Sequence, residues 1–68
     1  MSNKNLYPFS IPDWVNWLAQ DSSGIWWGYS VEPLRMEHGW YENEVGRYVR
    51  LGFTPPDQWE NSLRKCDS

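Results

Sequence analysis

Two stretches of the chain alternate between apolar and polar positions with the period of two that is typical of a β-strand with one buried face. The first stretch covers residues 25–32, and Pro33 ends it because proline cannot donate to a strand ladder. The second covers residues 45–53, where glycines at positions 46 and 52 indicate a bulge or the close approach of another backbone. The apolar side of the first strand consists of Ile25, Trp27, Tyr29 and Val31.

A strong turn sequence precedes the first of these strands. In residues 21–24 (Asp-Ser-Ser-Gly) the aspartate can bond its own backbone, and the glycine can supply a positive φ. Residues 15–20 are therefore predicted to be the partner strand of a hairpin. A helix is the competing interpretation, because residues 10–13 resemble a capping box and Trp14, Trp17 and Leu18 have helical spacing. A single turn over residues 11–14 that leads into the strand satisfies both signals.

The C-terminal part of the sequence favours a short helix over residues 54–66. Thr-Pro-Pro-Asp at 54–57 fits a helix start, and Trp59, Leu63 and Cys66 follow at the spacing of one apolar stripe. Residues 1–10 are predicted to be irregular, and residues 33–44 to be a connection in which Trp40 and Tyr41 can begin a strand. The predicted fold class is α+β: one domain over residues 1–68, with a three- to four-stranded antiparallel β-meander and one short C-terminal helix.

Aromatic side chains are unusually frequent, at 12 of 68 residues, and six of them are tryptophan. A chain of this length buries only ~60% of its unfolded surface. A single cysteine, Cys66, cannot form an internal disulfide. Large rings, each burying ~150–250 Å², can compensate for that small core. The predicted inward faces carry Trp17, Trp27, Tyr29, Phe53 and Trp59.

The sequence predicts neither a membrane span nor a secretory signal. No apolar run approaches the ~20 residues that cross a bilayer, and the first residues (MSNKNLYPF) lack the apolar region of a signal peptide. We therefore expect a cytoplasmic protein.

Catalytic residues are scarce in this chain. His38 is the single histidine, and Cys66 is placed at the end of the predicted helix with nothing nearby to lower the pKa of its thiol. No spacing fits a metal site, and no glycine-rich loop follows a strand. We therefore expect no catalytic residue, no metal and no cofactor, and hence no enzyme.

The formal net charge of −3 is confined to one segment of the chain. Residues 32–44 contain four glutamates and one arginine, whereas five acids and five bases cancel elsewhere. Acidic patches attract basic partners at long range, and Trp and Tyr supply contact energy after docking. A solvated loop that only maintains solubility is the alternative. The predicted partner-binding residues are Glu32, Glu37, Trp40, Tyr41, Glu42 and Glu44, with Trp26 added because it faces away from Trp27.

Direct nucleic-acid binding is not expected from this charge balance, because phosphate neutralisation by basic residues dominates such binding. Arg47 and Arg50 lie on opposite faces of a regular strand and make no single basic patch. A small Trp- and Tyr-rich sheet that receives a proline-rich peptide is a further possibility.

The sequence resembles small Trp-rich proteins of phages and prophages over about residues 13–63. The resemblance rests on the Trp-rich stretch at 13–29, on Leu-Gly-Phe at 51–53, and on the tail with Pro56, Trp59 and Ser62-Leu63. Some phage proteins of this size and acidity are anti-CRISPR or other anti-defence proteins, which occupy partner-binding or nucleic-acid-binding surfaces of host complexes. The resemblance implies a fold group and a class of function, and it assigns no functional residues.

Together these observations predict a non-enzymatic phage or mobile-element protein that inhibits a host defence complex. Its acidic and aromatic surface is expected to occupy a basic surface, such as that of a CRISPR effector subunit, and the chain is expected to be a monomer or weak homodimer. The alternative is a structural or regulatory interaction module that can be homodimeric and has no inhibitory role.

Overall fold

The protein folds into two small antiparallel sheets, described here from a computed structural model that covers residues 6–42 and 45–66. The main sheet has four strands in the order β5-β2-β1-β6, and the second sheet is the β3–β4 hairpin. A 3-10 turn spans Trp59–Asn61. The strands are β1 (Trp17–Gln20), β2 (Ile25–Tyr29), β3 (Leu34–Arg35), β4 (Trp40–Tyr41), β5 (Tyr48–Phe53) and β6 (Arg64–Lys65).

The predicted hairpin of β1 and β2 is confirmed, as is its turn chemistry. The Oδ1 atom of Asp21 accepts hydrogen bonds from the backbone N–H groups of Ser23 (2.9 Å) and Ile25 (3.1 Å), and Gly24 has a φ of 97°. Upstream, the N–H of Val15 donates to the carbonyl of Pro12 at 3.1 Å. A tight turn therefore precedes β1, and no helix forms over residues 10–20.

Strand β5 pairs with β2 through an irregular register. The pairing shifts between Trp26 and Trp27, so that Leu51 is the extra residue on the β5 side. The glycine at position 52 also admits the ring of Phe9, which would lie 2.5 Å from a Cβ at that position. The close approach at this glycine thus comes from an aromatic side chain and not from another backbone.

The predicted C-terminal helix is wrong, and with it the α+β class. Residues 54–66 contain the 3-10 turn and then β6, which pairs antiparallel with β1. Gln58 enters the turn in the left-handed region, at φ 58°, which breaks a regular helix start. The physical reason is the open edge of β1, whose backbone groups need partners. Because β6 returns to that edge, the strands do not follow one another as in a simple meander.

Both faces of the main sheet are buried at β1, although the sequence pattern predicted a sheet with one buried face. Leu18 and Ala19 are adjacent in β1, point to opposite faces, and are both fully buried. On one face, called the core face below, Leu18 packs with Val15 and Cys66 beneath partly buried rings. The opposite face, carrying Ala19, Trp27, Tyr29 and Tyr48, is called the pocket face below.

The aromatic residues predicted to point inward are only partly enclosed. Tyr29 is buried, with 4% of its surface exposed, and Trp17, Trp27 and Trp59 are half-buried. Phe53 is 57% exposed, so its predicted burial is wrong. It ends β5 opposite Ile25, at the sheet margin where no element covers it. No helix within residues 6–42 and 45–66 is long and apolar enough to cross a membrane.

Candidate functional site

The β3–β4 hairpin folds back against the turn end of the main sheet. The indole Nε1 of Trp40 donates to the carbonyl of Gln20 at 2.9 Å, and the N–H of Ser22 donates to the carbonyl of His38 at 3.2 Å. The ring of Trp40 also meets the ring of Trp59 edge to face, with centroids 6.5 Å apart. The acidic segment is therefore held at one place on the sheet by backbone and ring contacts.

A pocket of about 250 Å³ lies between this hairpin and the pocket face. The walls combine aromatic rings with ionisable groups. The aromatic lining consists of Trp27, Tyr29, Trp40 and Tyr48, and the ionisable side chains besides the tyrosines are Asp21, His38 and Glu42. Three chain segments contribute to it: the β1–β2 hairpin, the β3–β4 segment and β5.

The position of the Trp27 ring is fixed by two contacts. Its Nε1 donates to Oδ2 of Asp21 at 3.0 Å, and its ring lies 5.8 Å from that of Tyr48 at an interplanar angle of 60°. Asp21 thus stabilises the turn through Oδ1 and fixes the indole of Trp27 in the pocket wall through Oδ2. One aspartate links the local turn geometry to the shape of the pocket.

Tyr29 lies close to the acidic groups of the pocket. Burial raises the pKa of Tyr29 well above its usual value, and the charges of Asp21 and Glu42 and the nearby Tyr48 raise it further. Both carboxylates therefore act on the same hydroxyl group. Two arginines flank the pocket without lining it, since Arg50 pairs with Trp27 across β2 and β5 and Arg35 pairs with Trp40 across the hairpin.

His38 lines the pocket and lies near Glu37, with which it forms an ion pair only when its imidazole is protonated. Its Nε2 lies 3.8 Å from Oε1 of Glu37, and both side chains are 84% exposed. Exposed pairs of this kind contribute about 0–1 kcal/mol. In the part of the chain that the structure describes, no three His, Cys, Asp or Glu side chains could hold a metal ion.

The structure brings together only part of the predicted binding set. Trp40 and Glu42 line the pocket. Glu32 and Glu37 are exposed and lie outside its lining, and Tyr41 is half-buried on the hairpin opposite Leu34. Trp26 lies on the core face, with its Nε1 donating to Oγ1 of Thr54 at 2.8 Å, so it does not share a surface with Trp40. Glu44 falls outside the described residues.

Six pocket residues were not among the predicted binding set: Asp21, Trp27, Tyr29, His38, Gly39 and Tyr48. The sequence pattern predicts core positions for Trp27 and Tyr29 and a turn position for Asp21. The available signal was the alternation of β2, which already placed the two rings on one face. What the alternation does not reveal is that the acidic segment returns to that face.

Comparison with protein-family models, with curated proteins and with solved structures gives no match to this chain. The sequence resemblance to phage proteins therefore stays a prediction.

Proposed function

We propose that this protein is a non-enzymatic binding protein that docks its pocket face on a basic surface of a partner protein. The observation that carries the proposal is the pocket itself, where two carboxylates, Asp21 and Glu42, stand among four aromatic side chains. Rings supply contact area that is buried on docking, and carboxylates select a positively charged partner.

The exposed glutamates extend the attraction beyond the pocket. Glu32 and Glu37 belong to the same acidic segment as Glu42, and they face solvent. Charges of this kind raise the rate of encounter with a basic surface more than they raise the strength of the final contact. The segment and the pocket therefore have different roles in the proposed docking.

The partner we propose is a bacterial defence complex that handles nucleic acid, such as a CRISPR effector subunit. Its nucleic-acid channel is basic, and an acidic protein bound there excludes the nucleic acid. This proposal is supported by the local charge of −3 over residues 32–44 and by the sequence resemblance to phage proteins. It places the protein in the cytoplasm of the host cell and gives it no nucleic-acid ligand of its own.

The experiment is a displacement titration on a panel of purified effector complexes carrying fluorescent nucleic acid. The wild type should release nucleic acid from at least one complex. The Glu37→Lys/Glu42→Lys variant should lose this activity, whereas Asp57→Lys/Glu60→Lys, with the same change in net charge away from the pocket lining, should retain it. Equal activity of the two variants would show that the acidic segment does not direct docking.

A homodimeric interaction module is the second candidate. It is favoured by apolar side chains exposed on and near the β3–β4 hairpin, namely Leu34, Met36 and Val45. Sedimentation at micromolar concentration separates the two candidates. A tight dimer that protects the hairpin from amide exchange would favour the module, and a monomer favours docking on a different protein.

A further inference from the structure

We infer that the pocket holds the guanidinium group of an arginine side chain that the partner presents. This inference rests on the proposed docking function and names the group that the pocket recognises. Its basis is the combination of size, aromatic walls and free carboxylate capacity in one cavity.

The size of the pocket suits a side-chain head group. Pockets for drug-sized molecules are ~300–1,000 Å³. This one, at about 250 Å³, lies below that range. A single head group with the end of its aliphatic stem fits such a volume better than a folded cofactor or an extended peptide.

The aromatic walls favour a cation that can stack. A cation within ~6 Å of a ring centroid is attracted by the ring face, and tryptophan is the strongest ring partner. Three rings of the pocket lining can make this contact: Trp27, Trp40 and Tyr48. The two indoles among them are held in place by hydrogen bonds. Guanidinium is planar and less strongly hydrated than ammonium, so it stacks on rings more readily.

The chain already contains both kinds of cation–ring contact elsewhere. The Cζ atom of Arg47 lies 4.2 Å from the ring centroid of Trp14, whereas Nζ of Lys65 lies 6.0 Å from that of Trp17. In this fold the guanidinium makes the closer approach. The Arg47 contact shows that a tryptophan of this protein accepts a guanidinium within cation–π distance.

The carboxylates favour a cation with several N–H donors. Three protein N–H groups already bind Asp21, two at Oδ1 and one at Oδ2. Asp21 therefore contributes mainly its negative charge to the binding of a cation. The carboxylate of Glu42 accepts no hydrogen bond from the residues the structure describes and retains its acceptor capacity. A guanidinium has five donors arranged to meet a carboxylate in parallel, while a quaternary ammonium has none.

The test is a titration of the ¹⁵N-labelled protein with N-acetyl-arginine amide, followed by the indole N–H signals of its tryptophans. Saturable shifts are expected at Trp27 and Trp40. Trp26, whose indole bonds to Thr54 on the core face, should not shift and reports that the fold is intact. N-acetyl-lysine amide should bind at least threefold more weakly, and tetramethylammonium more weakly still.

The matched variants are Glu42→Gln and Glu32→Gln, which remove the same charge from the same acidic segment. Glu42→Gln should weaken arginine binding about tenfold, in line with the loss of a charge-assisted hydrogen bond. Glu32→Gln, outside the pocket lining, should change it less than twofold.

Three results would overturn the inference: no saturable shift, lysine binding as tightly as arginine, or tetramethylammonium binding that Glu42→Gln leaves unchanged. The last result would instead define a site for alkylated ammonium groups. If arginine amide does not bind but the reversal of Glu37 and Glu42 still abolishes displacement, the proposed docking stands without this inference. If displacement is absent as well, both fail.

Discussion

At the scale of single residues, Tyr29 makes the stability of the fold sensitive to alkaline pH. Its raised pKa means that the folded state favours the neutral phenol more than the unfolded state does. The stabilisation is complete below the unfolded pKa of ~10, and it is lost as the pH rises from there towards the folded pKa. We expect the free energy of unfolding to fall by roughly 1 kcal/mol per pH unit above pH ~10 from this residue alone.

Urea unfolding at several pH values between 9 and 11 measures this effect. Tyr29→Phe should show a shallower decline than the wild type, because the variant lacks the titrating group. Tyr7→Phe is the control, because Tyr7 lies outside the pocket lining and is not among the groups that raise the pKa of Tyr29, so this variant should keep the steep decline. Parallel curves for the wild type and Tyr29→Phe would contradict the assignment.

A second prediction at this scale concerns the turn glycine at position 24. Its φ of +97° is strained for any residue with a side chain, and a Cβ there would lie 2.4 Å from the carbonyl oxygen of Thr54. Gly24→Ala should lower the free energy of unfolding by about 2 kcal/mol or more. Gly39→Ala is the control, because its nearest contact would be an ordinary 3.4 Å to Asp21. Similar losses in chemical denaturation of the two variants would argue against this account.

At the scale of elements, Ser62 fixes the C-terminal segment to the open edge of β1. Its buried hydroxyl accepts from the N–H of Gln20 at 2.7 Å and donates to the carbonyl of Trp59 at 2.6 Å. Ser62→Ala should leave the Gln20 amide unsatisfied and lower the free energy of unfolding by about 1–3 kcal/mol. Ser23→Ala, at an exposed turn position, should be nearly neutral. Thermal and urea unfolding of both variants decide whether the hydroxyl has this role.

The β1–β2 hairpin and its turn were predictable from the sequence because their determinants are local. Asp21 and Gly24 act on backbone groups within four residues. The C-terminal segment was not predictable, because its conformation depends on a bond between Ser62 and Gln20, 42 positions apart. A short apolar stripe at helical spacing cannot report that a distant strand edge needs a partner. Tertiary pairing overrode the local pattern there.

The candidate site was predictable only in its acidic half. Sequence patterning singled out Trp40 and Glu42 through their segment of net charge, and both line the pocket. The other half consists of Asp21, Trp27 and Tyr29. Their residue types are fully explained by a turn and a core, so no local sequence feature indicated that they line a binding site. The fold-back of the β3–β4 hairpin joins the halves, and its hydrogen bonds to Gln20 and Ser22 involve backbone atoms that carry no sequence signature.

At the scale of the whole molecule, the acidic segment should make docking sensitive to salt. The screening length shrinks from about 14 Å to about 4 Å between 0.05 and 0.5 M salt. The association rate with an arginine-rich peptide should therefore fall steeply over this range, with a smaller change in the dissociation rate. The Glu32→Gln/Glu37→Gln variant should show a shallower dependence, because it removes exposed charges outside the pocket lining. Stopped-flow fluorescence measures both rates, and identical salt slopes would show that these glutamates do not guide encounter.

The two sheets are joined by few contacts, which suggests that the hairpin opens independently of the main sheet. A backbone bond from Ser22 to His38, the indole bond of Trp40 and its edge contact with Trp59 hold the hairpin to the rest of the described structure. Regions held by few buried contacts open at a lower free energy than the whole molecule. The pocket exists only when the hairpin is closed, so its opening limits the apparent affinity for any ligand.

Trp40→Phe tests this coupling, because it keeps a ring and removes the hydrogen bond to Gln20. Amide exchange should speed up at Ser22 and Met36, whose N–H groups bond within or to the hairpin, and stay slow at Asn16 in the main sheet. Binding of arginine amide should weaken in parallel. Trp26→Phe is the matched control: it removes an indole bond on the core face and should lower the protection of both sheets together. If Trp40→Phe also loosens Asn16, the molecule opens as one unit, and the pocket is as stable as the fold that carries it.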